Sequence, residues 1–214
     1  MPLRNFLKKS GYTPYPWDFG FNVGPKQGIL KGCEKLVEDL ADRYGSEVSL
    51  IGWSLGGIYA REVAKKIPAL IRNVITLGTP FSGPARATNA WRIYELLSGR
   101  KVEDHHLHWQ IAKTPPVPTT SIYSKTDGVV AWQCSLNPRR KLAENIQVHS
   151  SHLGMISNPL VHYIIADRLA QTKEHWKPFK VHGYRKWFFK NKSVSESAKA
   201  FSKLALNTEK LSNP

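Results

Sequence analysis

The sequence predicts an α/β protein, a three-layer, doubly wound, mostly parallel sheet. Three observations carry that expectation. Short apolar runs bounded by turn residues recur along the chain, as suits strands buried on both faces. Amphipathic segments with a 3.6-residue period stand between them. The two kinds alternate, and parallel neighbours need a helical crossover to bring the chain back to the same end of the sheet.

Residues 3–9, LRNFLKK, read as the end of a helix stopped at Gly11. The stretch YTPYPWDFGFNVGP follows as an extended piece and a Gly/Pro loop. Over residues 27–44, Ile29, Leu30, Cys33, Leu36, Val37, Leu40 and Tyr44 keep a helical period, with Lys31, Glu34, Lys35, Glu38 and Asp39 largely opposite; Gly45 caps this helix. Residues 48–52 form a buried strand, residues 55–67 a helix ended by Pro68, and residues 73–77 (NVITL) the next strand. After Gly78-Thr79-Pro80 the regularity lapses for about forty residues, too long for plain loop in a compact domain. Within that insertion, residues 88–97 read as a helix with Trp91, Tyr94 and Leu97 on one face, and KTPPVP at 113–118 as a stiff return. Residues 119–123 and 146–149 are the remaining strands, and residues 160–169 the last helix. The expected organisation is a domain over residues 1–170, carrying a small cap or lid insertion at about 79–118, and a basic, aromatic, partly flexible extension over residues 171–214.

Composition bounds the function. Of 214 residues, 41% are hydrophobic, enough for one sizeable core. Lys and Arg number 31 against 16 Asp and Glu, a net charge of +15 that favours anionic partners but selects none. The extension holds ten Lys or Arg and three Glu, so about a fifth of the chain carries about half of the excess charge. Lys186-Trp187-Phe188-Phe189-Lys190 there suits weak contact with an anionic membrane or polyanion. The plainer alternative, favoured here, is aromatics packed on the core with solvated lysines; no specific nucleic-acid binding is expected. Cys33 and Cys134 form no CxxC pair and no metal-ligand spacing, so free thiols in a reducing compartment are expected. No apolar run reaches spanning length and the N-terminal residues lack a signal-like apolar region, so a cytoplasmic protein is expected.

Gly52-Trp53-Ser54-Leu55-Gly56 matches G-x-S-x-G, with a predicted strand before it and a helix after it. That context gives the spacing a reason. The serine sits on a sharp strand-to-helix turn, and glycines remove side chains where strand and helix approach. The helix start supplies free N–H groups suited to an oxyanion. A serine hydroxyl needs a base, and the base an orienting carboxylate. Asp127, in YSKTDGVV, and His152, in SSHLGM, each follow a predicted strand and so reach the same sheet edge. His149 lies within the predicted strand and His162 within a helix, and both are read as structural. Asp167 lies beyond the histidine on a helix and is a poor third member. Asp104-His105-His106-Leu107-His108 has a metal-like composition but no carboxylate-rich or cysteine partner at ligand spacing. No metal and no cofactor are expected.

Together GWSLGG, ITLGTPFSGP, SKTDGVV and SHLGM make residues 12–170 resemble the α/β-hydrolase superfamily, its lipase/esterase branch in particular. The resemblance implies Ser54 as nucleophile, His152 as general base and then acid, Asp127 as the group that holds the imidazole tautomer, and the Leu55 N–H as an oxyanion donor. Trp53, Phe81 and Trp91 are expected to line the substrate site. The implied function is a serine hydrolase cleaving a carboxylic ester through an acyl-enzyme. The alternative is a catalytically weak hydrolase-fold protein acting as a basic binding module. One feature of the family pattern is missing: with 53 residues before Ser54, no strand and His-Gly type loop supplies a second oxyanion donor. A start placed inside a longer gene, a natural truncation, or substitution by Gly20-Phe21-Asn22 would each account for it.

Overall fold

The computed structural model describes residues 2–16, 28–82 and 111–189. The predicted helix at 88–97 with Trp91, Tyr94 and Leu97, the 104–108 cluster, Gly20-Phe21-Asn22 and the chain beyond Phe189 lie outside them. Among the described residues, four strands, β1 (Val48–Trp53), β2 (Ile71–Leu77), β3 (Thr119–Ser124) and β4 (Ala143–Val148), form one sheet in the order β1-β2-β3-β4. Every neighbouring pair is parallel. All four carboxyl ends therefore meet at one edge.

Helices cover both faces. On one side α1 (Pro2–Lys9) and α4 (Pro159–Leu169) pack Leu7, Val161, Ile164, Ile165 and Leu169 against Ile75, Leu77, Ile122, Ile146 and Val148. On the other, α2 (Ile29–Tyr44) and α3 (Leu55–Lys66) place Val37, Val63 and Ala64 over Ile71 and Val74. Side chains of a strand alternate between faces, yet Ile71 and Val74 share one. The register explains it: Val48 pairs with Ile71 but Ser49 with Asn73, so a bulge flips the alternation. The predicted caps also hold, with Gly45 left-handed and donating to the Ala41 carbonyl.

The largest departure from the sequence expectation is at β4. β4 begins at Ala143 and ends at Val148, so His149, expected inside the strand, lies just past its end. Two of the three missed residues, Glu144 and Asn145, are polar and find their partners outside the strand. Glu144 Oε1 accepts from Thr120 Oγ1 at 2.7 Å and from Arg168 Nη1 at 2.8 Å, while Asn145 Nδ2 donates to the Asn137 carbonyl at 2.9 Å. Beyond α4, Lys173 reaches Glu47 at 2.7 Å, Phe179, Val181 and Phe189 join the α1/α4 core, and the short α5 (Arg185–Phe188) is pinned by Arg185 to Asp167 Oδ1 at 2.7 Å. Trp187 nonetheless stays 88% exposed. No helix among the described residues is long and apolar enough to cross a membrane.

Candidate active site

The carboxyl edge of the sheet gathers the candidate residues. β1 ends at Trp53, and Ser54 turns the chain into α3 with φ 54° and ψ −130°, the one non-glycine residue of positive φ among those described. An L side chain there carries backbone strain on the order of 1–3 kcal/mol, which the surroundings must hold in place. They do so by hydrogen bonds and close packing. The Ser54 N–H donates to the Leu77 carbonyl at 2.9 Å, extending the β1–β2 ladder past the strand, and the Ser54 carbonyl accepts from the Gly57 N–H at 3.0 Å. A β-carbon on Gly52 would overlap the Gly57 backbone, and one on Gly57 would overlap the Thr79 side chain. The serine begins α3 without using its side chain as a cap.

Asp127 follows β3 in a tight turn of its own making. Its Oδ1 accepts from the Val129 and Val130 N–H groups at 2.9 and 2.7 Å, and its Oδ2 lies 2.8 Å from His152 Nδ1. Both residues are 5% exposed. The His152 N–H donates to the Asp127 carbonyl at 2.9 Å, so backbone and side chain are both tied to the same residue. The loops after β3 and β4 are laced together by Ser124 Oγ, which accepts from the Thr126 and Ser150 N–H groups, each at 3.1 Å.

Two contacts bring this pair to the serine turn. Trp53 Nε1, one residue before Ser54, donates to the His152 carbonyl at 3.0 Å, and the two rings lie 5.2 Å apart between centroids. Gly78, next to the Leu77 whose carbonyl holds Ser54, packs against Asp127 Oδ2, His152 Nδ1 and the Met155 sulfur. Neither contact was foreseen. A glycine directly after a strand at the carboxyl edge was the available signal for the second; no local pattern announces the first.

The remaining sequence candidates separate cleanly. His149 follows β4, with its Nδ1 3.5 Å from Thr126 Oγ1; His162 stacks on Phe6 at 4.6 Å and reaches the Ile156 carbonyl at 3.0 Å. Asp167 is ion-paired to Arg168 and Arg185. Phe81 is buried, with the Arg61 guanidinium 3.6 Å above its ring, and Trp91 lies outside the described residues. Arg61 itself is fully buried on α3 and donates to Asn137 Oδ1 at 2.7 Å and to the Ala112 and Lys113 carbonyls at 3.4 and 3.3 Å. Burial pulls its pKa down to about 9, against the opposing field of the Glu62 carboxylate. No group of three or more His, Cys, Asp or Glu among the described residues has a metal-holding arrangement.

Solved structures share this fold at low identity. Lipase B of Aspergillus fumigatus superposes with a TM-score of 0.56 at 17% identity, over 71% of this chain and 43% of its own. The mature lipase BlEst2 of Bacillus licheniformis gives 0.51 at 17% identity, over 64% of this chain and 71% of its own. A predicted CIB-like hydrolase of Thermoplasma acidophilum gives 0.50 at 18% identity, over 77% and 75%. The chain thus spans less than half the length of the fungal lipase. Comparison with curated protein sequences gave no match. A family model, however, matches residues 3–192, nearly the whole of the chain that builds the sheet, both helical layers and the Ser54 turn, and the chain belongs to the alpha/beta hydrolase family.

Proposed function

We propose that the protein is a serine hydrolase that cleaves a carboxylic ester through Ser54, His152 and Asp127. The observation that supports this reading most is the buried 2.8 Å contact between Asp127 Oδ2 and His152 Nδ1, joined through Trp53 and Gly78 to the strained turn at Ser54. An ionised carboxylate only accepts hydrogen bonds, so it holds the proton on Nδ1 and leaves the Nε2 lone pair as the base. The Ser54 hydroxyl gives its proton to Nε2 as Oγ bonds to the ester carbonyl carbon. The carbonyl oxygen becomes an oxyanion, met by the Leu55 N–H at the start of α3, where helical N–H groups lack intrahelical acceptors. Collapse breaks the bond to the alkoxy group, which leaves as an alcohol with the proton from His152. Water, deprotonated by the same imidazole, then releases the acid and regenerates Ser54.

A fluorophosphonate probe tests this. Labelling of the wild type, lost in Ser54→Ala and in His152→Ala, is the expected result, with p-nitrophenyl esters of rising chain length reporting the acyl preference. A folded wild type that takes no label would overturn the reading. The two free thiols, Cys33 and Cys134, suit a reducing compartment, so we place the activity in the cytoplasm, to be checked by cell fractionation.

A second reading, binding to an anionic membrane, draws on Tyr184, Trp187 and Phe188, exposed by 66%, 88% and 57% beside Lys186. Salt-sensitive sedimentation with anionic but not zwitterionic vesicles, lost in Trp187→Ala, is its test.

A further inference from the structure

Trp53 stands in the G-x-S-x-G motif as a variable position, yet its side chain reaches 99 residues along the chain to the loop that carries His152. Hydrogen bonds among the described residues hold His152. Its Nδ1 and its backbone N–H both go to Asp127, at 2.8 and 2.9 Å, and its carbonyl accepts from Trp53 Nε1 at 3.0 Å. The first two tie the histidine only to its acid partner. Neither of those two bonds reaches β1 or the Ser54 turn. The tryptophan bond is different in kind, because it starts on the residue adjacent to Ser54 and so links the serine turn directly to the His152 loop.

The surroundings make that bond effective. Trp53 is half-buried, and its ring packs on the imidazole at 5.2 Å between centroids with a 38° tilt, which leaves the indole little freedom. Trp53 is also fixed at its backbone, as the last residue of β1, opposite Leu77 in β2. A rigid ring on a rigid strand end is a suitable strut.

We infer that Trp53 is a positioning residue: its indole N–H anchors the His152 loop to the nucleophile turn and keeps the imidazole in register with Ser54. The inference deepens the hydrolase reading proposed above and rests on it for the part that concerns turnover. Misplacement of a catalytic group by about 1 Å lowers the rate on the order of a hundredfold. Loss of the bond is therefore expected in kcat rather than in KM, since the indole N–H is occupied by the protein's own carbonyl and makes no bond to substrate.

The test uses Trp53→Phe, which keeps a ring and removes the donor, with Trp53→Leu as a second variant. In Trp53→Phe, kcat for a short p-nitrophenyl ester and the rate of fluorophosphonate labelling are expected to fall on the order of ten- to a hundredfold, with KM within about twofold and the thermal midpoint little changed. The ring C–H resonances of His152, followed by NMR across pH, are expected to broaden or split as the loop loses its anchor. Should Trp53→Leu fail to fold, Trp53→Phe decides. Unchanged kcat together with an unchanged His152 spectrum in Trp53→Phe would overturn the inference while leaving the hydrolase reading intact. A folded wild type that takes no label would instead overturn the hydrolase reading, and the His152 spectrum of Trp53→Phe would then decide the anchor by itself.

Discussion

Gly78 packs so closely on Asp127 that a β-carbon added to it would stand 2.8 Å from the Oδ2 atom that holds His152, and 3.1 Å from His152 Nδ1. The glycine also has φ +50°, a conformation in which an L side chain costs about 1–2 kcal/mol. Gly78→Ala is therefore expected to lose stability by at least that backbone cost and to lower kcat on the order of a hundredfold, because the pair must shift. Gly45→Ala is the matched control. It carries the same sign of φ, +58°, with nothing within 4 Å of the new β-carbon, so it should lose stability alone and keep its kcat. Melting curves and ester turnover on both variants check this; equal activity in the two would refute the steric argument.

Ser54 stores strain at its backbone, and the strain should be measurable. Ser54→Ala keeps the β-carbon at φ 54°, whereas Ser54→Gly removes it. The glycine variant is expected to be more stable than the alanine variant by about 1 kcal/mol in urea denaturation, and both should be inactive. Identical midpoints would mean that the turn holds no strain of this kind.

The two thiols should be silent in the folded protein. Burial pushes Cys33 up to about 11 and Cys134 up to about 12 from an ordinary value of 9.0. Since the thiolate is the reactive form, Ellman's reagent at pH 8 should titrate neither cysteine natively and both after denaturation. The same shifts set a sign for alkaline stability. Both pKa values are raised on folding, so above about pH 9 the unfolded chain loses protons that the folded one keeps, and stability falls as pH rises from 9 through 11 and 12. Cys134→Val should flatten part of that slope.

At the opposite end of the sheet, Arg168 and Glu144 form an ion pair at 2.8 Å with side chains 3% and 8% exposed. Glu144 Oε2 also accepts from the Phe179 N–H at 2.6 Å, and Arg168 Nη1 donates to the Lys177 carbonyl at 2.8 Å, so the pair clasps the segment after α4. Removing one partner leaves the other charge buried and uncompensated. Arg168→Met is expected to lose about 3–5 kcal/mol in chemical denaturation and to open the segment beyond residue 171 to proteolysis. Its folded fraction should keep its kcat, because both residues lie away from the carboxyl edge. A loss below about 1 kcal/mol would mean that the charges are solvated.

Much of the molecule was readable in the chain. The β1–Ser54–α3 turn is local: apolar strand, two glycines at a fixed offset and helix formers follow each other within twenty residues, and each acts on the backbone next to it. The start of β4 was not readable, because Glu144 and Asn145 look like loop residues until Arg168 and Asn137 satisfy them. Likewise Lys186-Trp187-Phe188-Phe189 reads as one aromatic run, yet Phe189 is 3% exposed and Trp187 88%.

The sequence by itself determined the alternation of helix and strand, the strained turn at Ser54, and the chain order of serine, acid and histidine, since these follow from periodicity and from the conformational limits of single residues. Only the tertiary structure decided that Trp53 holds the His152 carbonyl, that Gly78 is wedged against Asp127, and that Arg61 is buried over Phe81. Those contacts join residues far apart in the chain, and their energies come from desolvation and close approach, which exist only once the sheet has brought its strand ends together.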